Sequence, residues 1–115
     1  MKVNGACELK SIRIDTVEEV SKKMLLDENS EEIARLFKLL GDYNRIRILN
    51  ALECTDELCV CELSLLLDMS QSSISHQLRI LRANNIVKYR KEDKRTFYSL
   101  KNDEISKLID EASKI

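Results

Sequence analysis

The chain has 115 residues, 43% hydrophobic and 34% charged, with a formal net charge of −1. That length holds one compact domain, and the apolar content excludes wholesale disorder. No apolar run approaches the ~20 residues of a membrane span, and without Pro or Trp and with only Gly5 and Gly41 the chain is suited to long helices.

Residues 1–14 read as a loosely patterned N-terminal arm, and 15–115 as a single domain. Met1 to Leu9 lack the apolar core of a secretion signal, which predicts a cytoplasmic protein. Disulfides are rare there, so Cys7, Cys54, Cys59 and Cys61 read as metal ligands, redox thiols or small buried residues rather than staples.

Asp15 reads as the cap of a first helix, with Glu18 three residues on. Its apolar stripe, Val17, Val20 and Met24, is too thin to fold alone. Ser30 reads as the cap of a second helix, in which Ile33, Leu36, Phe37 and Leu40 recur at helical spacing. Gly41 is suited to end it in the left-handed conformation. Asp42 then caps a third helix carrying Ile46, Leu49 and Leu52.

A short helix from Val60 to Leu67, a tight turn at Asp68-Met69 and a helix capped by Ser70 make a helix-turn-helix. Ile74, Leu78 and Leu81 form the inner face of its second helix. Gln71, Ser72, Ser73, Ser75, His76, Gln77 and Arg79 fall on the outer one. Asn84-Asn85 ends the helix. Ile86–Arg90 and Arg95–Leu100 are rich in β-branched and aromatic residues, predicting a two-stranded hairpin. Lys91 to Lys94 form its charged tip, with Asp93 suited to a left-handed turn position. Asn102 caps a last helix with Ile105, Leu108, Ile109 and Ala112 on one side, a stripe suited to dimerisation together with the first helix. The fold class is mostly α (α+β): a winged helix-turn-helix.

Charge is unevenly spread. Asn50 to Met69 contain five acidic residues and no Lys or Arg, whereas Gln71 to Arg95 contain seven basic residues against two acidic. Salt screens charges beyond ~8–10 Å, so a phosphate backbone responds to the basic segment and not to the total. The serines and glutamines of the second helix offer hydrogen bonds to phosphates and base edges. Arg90, Lys91, Lys94 and Arg95 are placed to meet phosphates or the minor groove.

Three stretches, Leu40-Gly41-Asp42-Tyr43-Asn44-Arg45-Ile46-Arg47-Ile48-Leu49, Glu57-Leu58-Cys59-Val60-Cys61-Glu62-Leu63 and Ser70 to Leu81, resemble the ArsR/SmtB family of metal-sensing repressors. The likeness covers nearly the whole chain and lies nearest the family's cadmium/lead-sensing branch. Tyr43-Asn44 replace the Pro-Thr usual in the first stretch. The resemblance implies a homodimer that leaves its operator when metal binds. It implies Cys7, Cys59 and Cys61 as ligands; a second arm cysteine of that branch falls on Ser11. The third cysteine of the arsenic-sensing pattern falls on Ser64. The family's C-terminal metal site needs histidines that Asn102-Asp103-Glu104 do not supply.

Alternate residues on a regular helix point about 200° apart, so Cys59 and Cys61 reach one ion only at or before a helix start. Their position supplies that start. Glu57 and Glu62 oppose thiolate formation but attract a cation. Three thiolates suit Pb(II) or As(III), and adding Cys54 makes a four-sulfur set suited to Cd(II) or Zn(II); the residues leave that choice open. A thiol-redox sensor using Cys54, Cys59 or Cys61 is the competing reading on the same scaffold. An enzyme with a nucleophilic cysteine lacks support, because the only histidine, His76, sits on the helix assigned to DNA.

Overall fold

The computed structural model of the protein describes residues 11–115. Cys7, expected as a ligand, lies outside the described residues. The chain divides into two compact units, residues 1–36 and 37–115.

The first unit holds α1 (Ile14–Lys23) and most of α2 (Asp27–Leu40). Two expected caps move. Arg13 precedes α1, and Asp15 lies inside its first turn. Likewise α2 begins at Asp27, and the Ser30 amide already donates to the Leu26 carbonyl (3.1 Å). In both cases acidic residues complement the helix dipole from within the first turn, a role that does not require them to cap. No residue of α1 is buried.

The second unit is built on α3 (Tyr43–Glu53), β1 (Leu58–Cys59), α4 (Val60–Leu67), α5 (Gln71–Ala83), β2 (Val87–Glu92), β3 (Arg95–Leu100) and α6 (Asp103–Ala112). Its helix starts follow the predicted caps. Asp42 accepts from the Arg45 amide (3.1 Å), Ser70 from the Ser73 amide (3.1 Å) and Asn102 from the Glu104 amide (3.0 Å). Each satisfies one otherwise unpaired amide at a helix start. Gly41 does not adopt the left-handed conformation expected of it. Its amide bonds back to Phe37 (2.9 Å), and an added Cβ would approach the Phe37 carbonyl oxygen to 3.1 Å. A side chain here would be tight against that carbonyl, so the backbone would have to give by a few tenths of an ångström.

Asp68 ends α4 with a left-handed backbone (φ 51°), giving the short turn of the helix-turn-helix. Asn85 (φ 59°) ends α5, and the Ile86 amide closes onto the Leu81 carbonyl (2.9 Å), an arrangement that satisfies the last turn. Ile48, Leu49, Leu52, Leu63, Ile74, Leu78 and Leu81 make the fully buried centre. This is the inner face expected of α5, joined by Ile48 where the spacing had pointed to Ile46.

The sheet departs from expectation in one consequential way. It has three strands, in the order β1-β3-β2, all antiparallel. The expected two-stranded wing gains Leu58-Cys59, paired with Tyr98 and Phe97. A two-residue strand leaves no alternation pattern to read, so periodicity cannot reveal it. The hairpin itself is tighter than predicted: β2 runs on to Glu92 and the turn shrinks to Asp93-Lys94, with Asp93 left-handed (φ 55°) as expected.

Because Leu78 is wholly buried and Leu65 is 86% exposed, the two leucines should respond differently to truncation. Leu78→Ala should lower unfolding stability by about 2–5 kcal/mol, and Leu65→Ala by under about 0.5 kcal/mol. Urea unfolding at one fixed protein concentration checks both, and equal losses would contradict this core.

Candidate functional site

Cys59 is at once the last residue of β1 and the cap position of α4. Its backbone is extended (φ −90°, ψ 169°), whereas Cys61 already lies in the helix. That break in regular helix is what two cysteines at this spacing need if their sulfurs are to converge. Both line one open hollow of about 220 Å³, together with Val60, Lys94, Arg95 and Thr96. Cys59 is only 6% exposed, while Cys61 is exposed.

Glu62 anchors this corner. Its carboxylate accepts from the Cys59 amide (2.9 Å), completing one half of a capping box with cysteine where serine or threonine is usual. That hydrogen bond, helped by the Cys59 side chain and by Arg95, holds the Glu62 carboxyl below the usual carboxylate range. Sequence reasoning had read Glu62 only as an acidic neighbour. The available signal was the glutamate three residues after a cap position.

Cys54 stands apart. It is exposed and lines a different hollow with Arg47, Asn50, Thr55, Leu58 and Leu66. Cys54, Cys59 and Cys61 are all free thiols. Among the described residues no group of three or more Cys, His, Asp or Glu side chains is gathered closely enough to hold a metal ion. The described part of the chain thus brings two thiols to one hollow, a donor type chemically suited to soft metals.

On α5, Gln71, Ser72, Ser73, His76 and Arg79 are exposed, and Ser75 and Gln77 are half-buried. Gln77 is engaged within the molecule: its side-chain oxygen accepts from Arg45 Nε (2.9 Å), while Arg45 Nη1 donates to the Leu39 carbonyl (3.1 Å). Arg45 was not singled out from the sequence. Arg82, also missed, stacks over Tyr89 (4.0 Å to the ring centre) and ties α5 to the wing.

Lys91, Lys94 and Arg95 are exposed in and beside the wing tip. Arg90, expected to share their role, is also exposed but pairs with carboxylates. Its Nε donates to Glu57 Oε2 (2.8 Å) and its Nη2 to Glu57 Oε1, a two-pronged pair, while Nη1 donates to Glu92 (2.8 Å). The Arg90 hydrogen bonds hold the Glu57 carboxyl below its ordinary range, and the carboxylates push the guanidinium further from deprotonation.

No helix among the described residues is long and apolar enough to cross a membrane. Residues 42–89 match the model of the bacterial regulatory protein arsR family. The chain is 38% identical to a cadmium resistance transcriptional regulatory protein CadC homolog of Staphylococcus aureus, over 92% of this chain and 87% of that protein. It is 34% identical to a transcriptional repressor SmtB homolog of Synechocystis, over 93% and 80% respectively. Among solved structures, HlyU from Vibrio cholerae superposes with a TM-score of 0.70 at 35% identity, covering 77% of this chain and 96% of that one. A winged helix-turn-helix with an exposed polar recognition helix and matches of this extent make the chain a member of the arsR family of DNA-binding transcription regulators, and not an enzyme.

Proposed function

We propose that the protein is a homodimeric repressor that leaves its operator when Cys59 and Cys61, joined by Cys7 of the N-terminal arm, take up a soft metal ion such as Cd(II), Pb(II) or Zn(II). The observation that carries this reading is the shared hollow, lined both by two free thiols and by the wing cations Lys94 and Arg95. Thiolates are the preferred donors for such ions, and a bound ion supplies a fixed bridge between sulfurs that are otherwise independent. The similarity to cadmium- and SmtB-related regulators supports the metal class. Cys54, on its separate hollow, takes no part.

For DNA, α5 enters the major groove. Gln71, Ser72, Ser73, Ser75, His76 and Arg79 meet base edges and phosphates, and Gln77 keeps Arg45 in place at its inner side. Lys91, Lys94 and Arg95 meet the phosphate backbone. A second copy supplies the two-fold symmetry of the site. Each unit leaves apolar surface uncovered: Val20, Met24 and Ile33 in the first, and in the second a hollow of Phe37, Leu40, Ile46, Leu108, Ile109 and Ala112. Phe37 alone is 54% exposed. Surfaces of this kind call for a partner.

Three outcomes follow from this reading. Lys94→Ala with Arg95→Ala should weaken binding to all DNA sequences alike and flatten the dimer's log–log salt slope by roughly 3.6, while Gln71→Ala or Ser73→Ala changes sequence preference. Anisotropy titrations at several salt concentrations measure both, and an unchanged slope would remove the wing tip from the interface. Metal-free protein should sediment as a dimer; a stable 13.3 kDa species at micromolar concentration contradicts the shared apolar surfaces. Cys59→Ser or Cys61→Ser should abolish metal-induced release while changing metal-free DNA affinity less than about threefold. Cys7→Ser should weaken metal binding, and Cys54→Ser should be silent. Release of the Cys59→Ser/Cys61→Ser double variant by Cd(II) under reducing conditions sinks the thiolate reading.

A further inference from the structure

We propose that Glu57 and Arg90 form a clamp that ties the thiol-bearing strand to the wing, making Arg90 a positioning residue that transmits occupancy of the Cys59–Cys61 hollow to Lys94 and Arg95, and not a contact to DNA. The proposal builds on the metal-responsive reading above.

The geometry is specific. Cys59, Phe97 and Arg90 are register partners along one row that crosses all three strands. Partners in a row share a face of the sheet, and Glu57, two residues before Cys59, falls on that face as well. Arg90 lies over the Phe97 ring (4.8 Å to its centre) and reaches across β3 to Glu57 with two of its nitrogens. Its remaining terminal nitrogen is taken by Glu92, its neighbour in β2. Three of the five N–H groups of this guanidinium are engaged by carboxylates, which compete with a phosphate for it. It differs from Lys94 and Arg95, for which no carboxylate partner of this kind occurs among the described residues.

The clamp spans the point where β1 is weakest. With only Leu58 and Cys59 in the strand, β1 has few backbone bonds to hold it against β3. Anything gripped by both sulfurs acts on β1 directly, because Cys59 is its last residue and is almost wholly covered. Without the clamp, β1 is free to shift alone and leave the hairpin behind. With it, a displacement of β1 is carried over β3 to β2, and the hairpin bearing Lys94 and Arg95 moves as one piece. Those two residues line the same hollow as the thiols, so the transmitted movement ends on the wing cations themselves.

The test compares wild type, Arg90→Ala, Glu57→Gln, their combination and the exchanged pair Glu57→Arg/Arg90→Glu. The DNA is a duplex selected by the metal-free protein from a random library, and the metal is Cd(II). Thiolate-to-cadmium absorption, metal-free salt slope and the ratio of DNA affinities without and with Cd(II) are read for each variant. The single variants should keep the absorption band and the salt slope, yet lose about tenfold of the affinity ratio. Their combination should lose no more than either alone, since both break one contact, and the exchanged pair should recover part of the ratio. A slope lowered by about 1 or more in Arg90→Ala makes Arg90 a phosphate contact and overturns the proposal. So does an undiminished ratio in the single variants, or additive losses in the combination. A wild type that shows the cadmium band but stays on its DNA overturns the metal-responsive reading and the transmission with it. The salt slopes still decide in that case whether Arg90 touches DNA.

Discussion

The pairing of Leu58-Cys59 with Tyr98-Phe97 is the constraint on which the functional half of the molecule depends. It brings the Cys-Val-Cys stretch alongside the tip-proximal half of β3, and it fixes Cys59 in the extended conformation from which α4 starts. Both demands fall on one residue. A regular helix through residues 59–61 would send the two sulfurs to opposite sides, and a longer strand would send Val60, between them, to the face opposite both. The extended backbone at Cys59, whose amide bonds to Glu62, keeps residues 59–61 from being regular helix throughout and lets both cysteines line one hollow.

The same pairing reconciles an acidic chain with an anionic partner. Two of the acidic residues clustered before the recognition helix are consumed locally. Glu57 holds Arg90, and Glu62 caps the start of α4. The charge of Glu57 is thereby paired with that of Arg90, and at physiological salt the field of either carboxylate is screened within about 8 Å. Lys91, Lys94, Arg95 and Arg79 stay exposed. A net charge summed over the chain misses this division, because it weighs a neutralised carboxylate equally with a free lysine.

The helix-turn-helix was legible in the sequence because its signals are local. Ser70 caps and Asp68 turns, as their side chains and backbone preferences dictate, and Ile74, Leu78 and Leu81 recur at the helical period. The bounds of α4 followed the same cues. The first two helix starts were misread because Asp15 and Ser30 are good caps in isolation, and the acids around them serve equally well inside a first turn. Cys59 and Cys61 were legible as a pair, but not the partners that surround them. β1, the Glu57–Arg90 pair and the Arg45–Gln77 bond each join residues about thirty or more positions apart, and no short-range pattern encodes such contacts. Arg90 in particular is indistinguishable by composition from its neighbour Lys91; only the fold gives one of them a carboxylate across the sheet.

A ligand-driven switch needs its two states to lie close in free energy, and the size of β1 bears directly on that. Couplings between sites in proteins commonly amount to ~1–3 kcal/mol. A backbone hydrogen bond is worth about 1 kcal/mol net, so the few bonds of a two-residue strand are of the same order as the coupling they would transmit. Had β1 been a strand of ordinary length, thiol occupancy could not shift it without disrupting much of the sheet. Had it been absent, Cys59 would have no mechanical connection to the wing. Ile74, Leu78 and Leu81, wholly buried on the inner face of α5, are too firmly packed to move at that scale. Under the proposed switch the wing would thus be the part of the DNA-binding apparatus that the thiols displace, with the recognition helix held by its buried face.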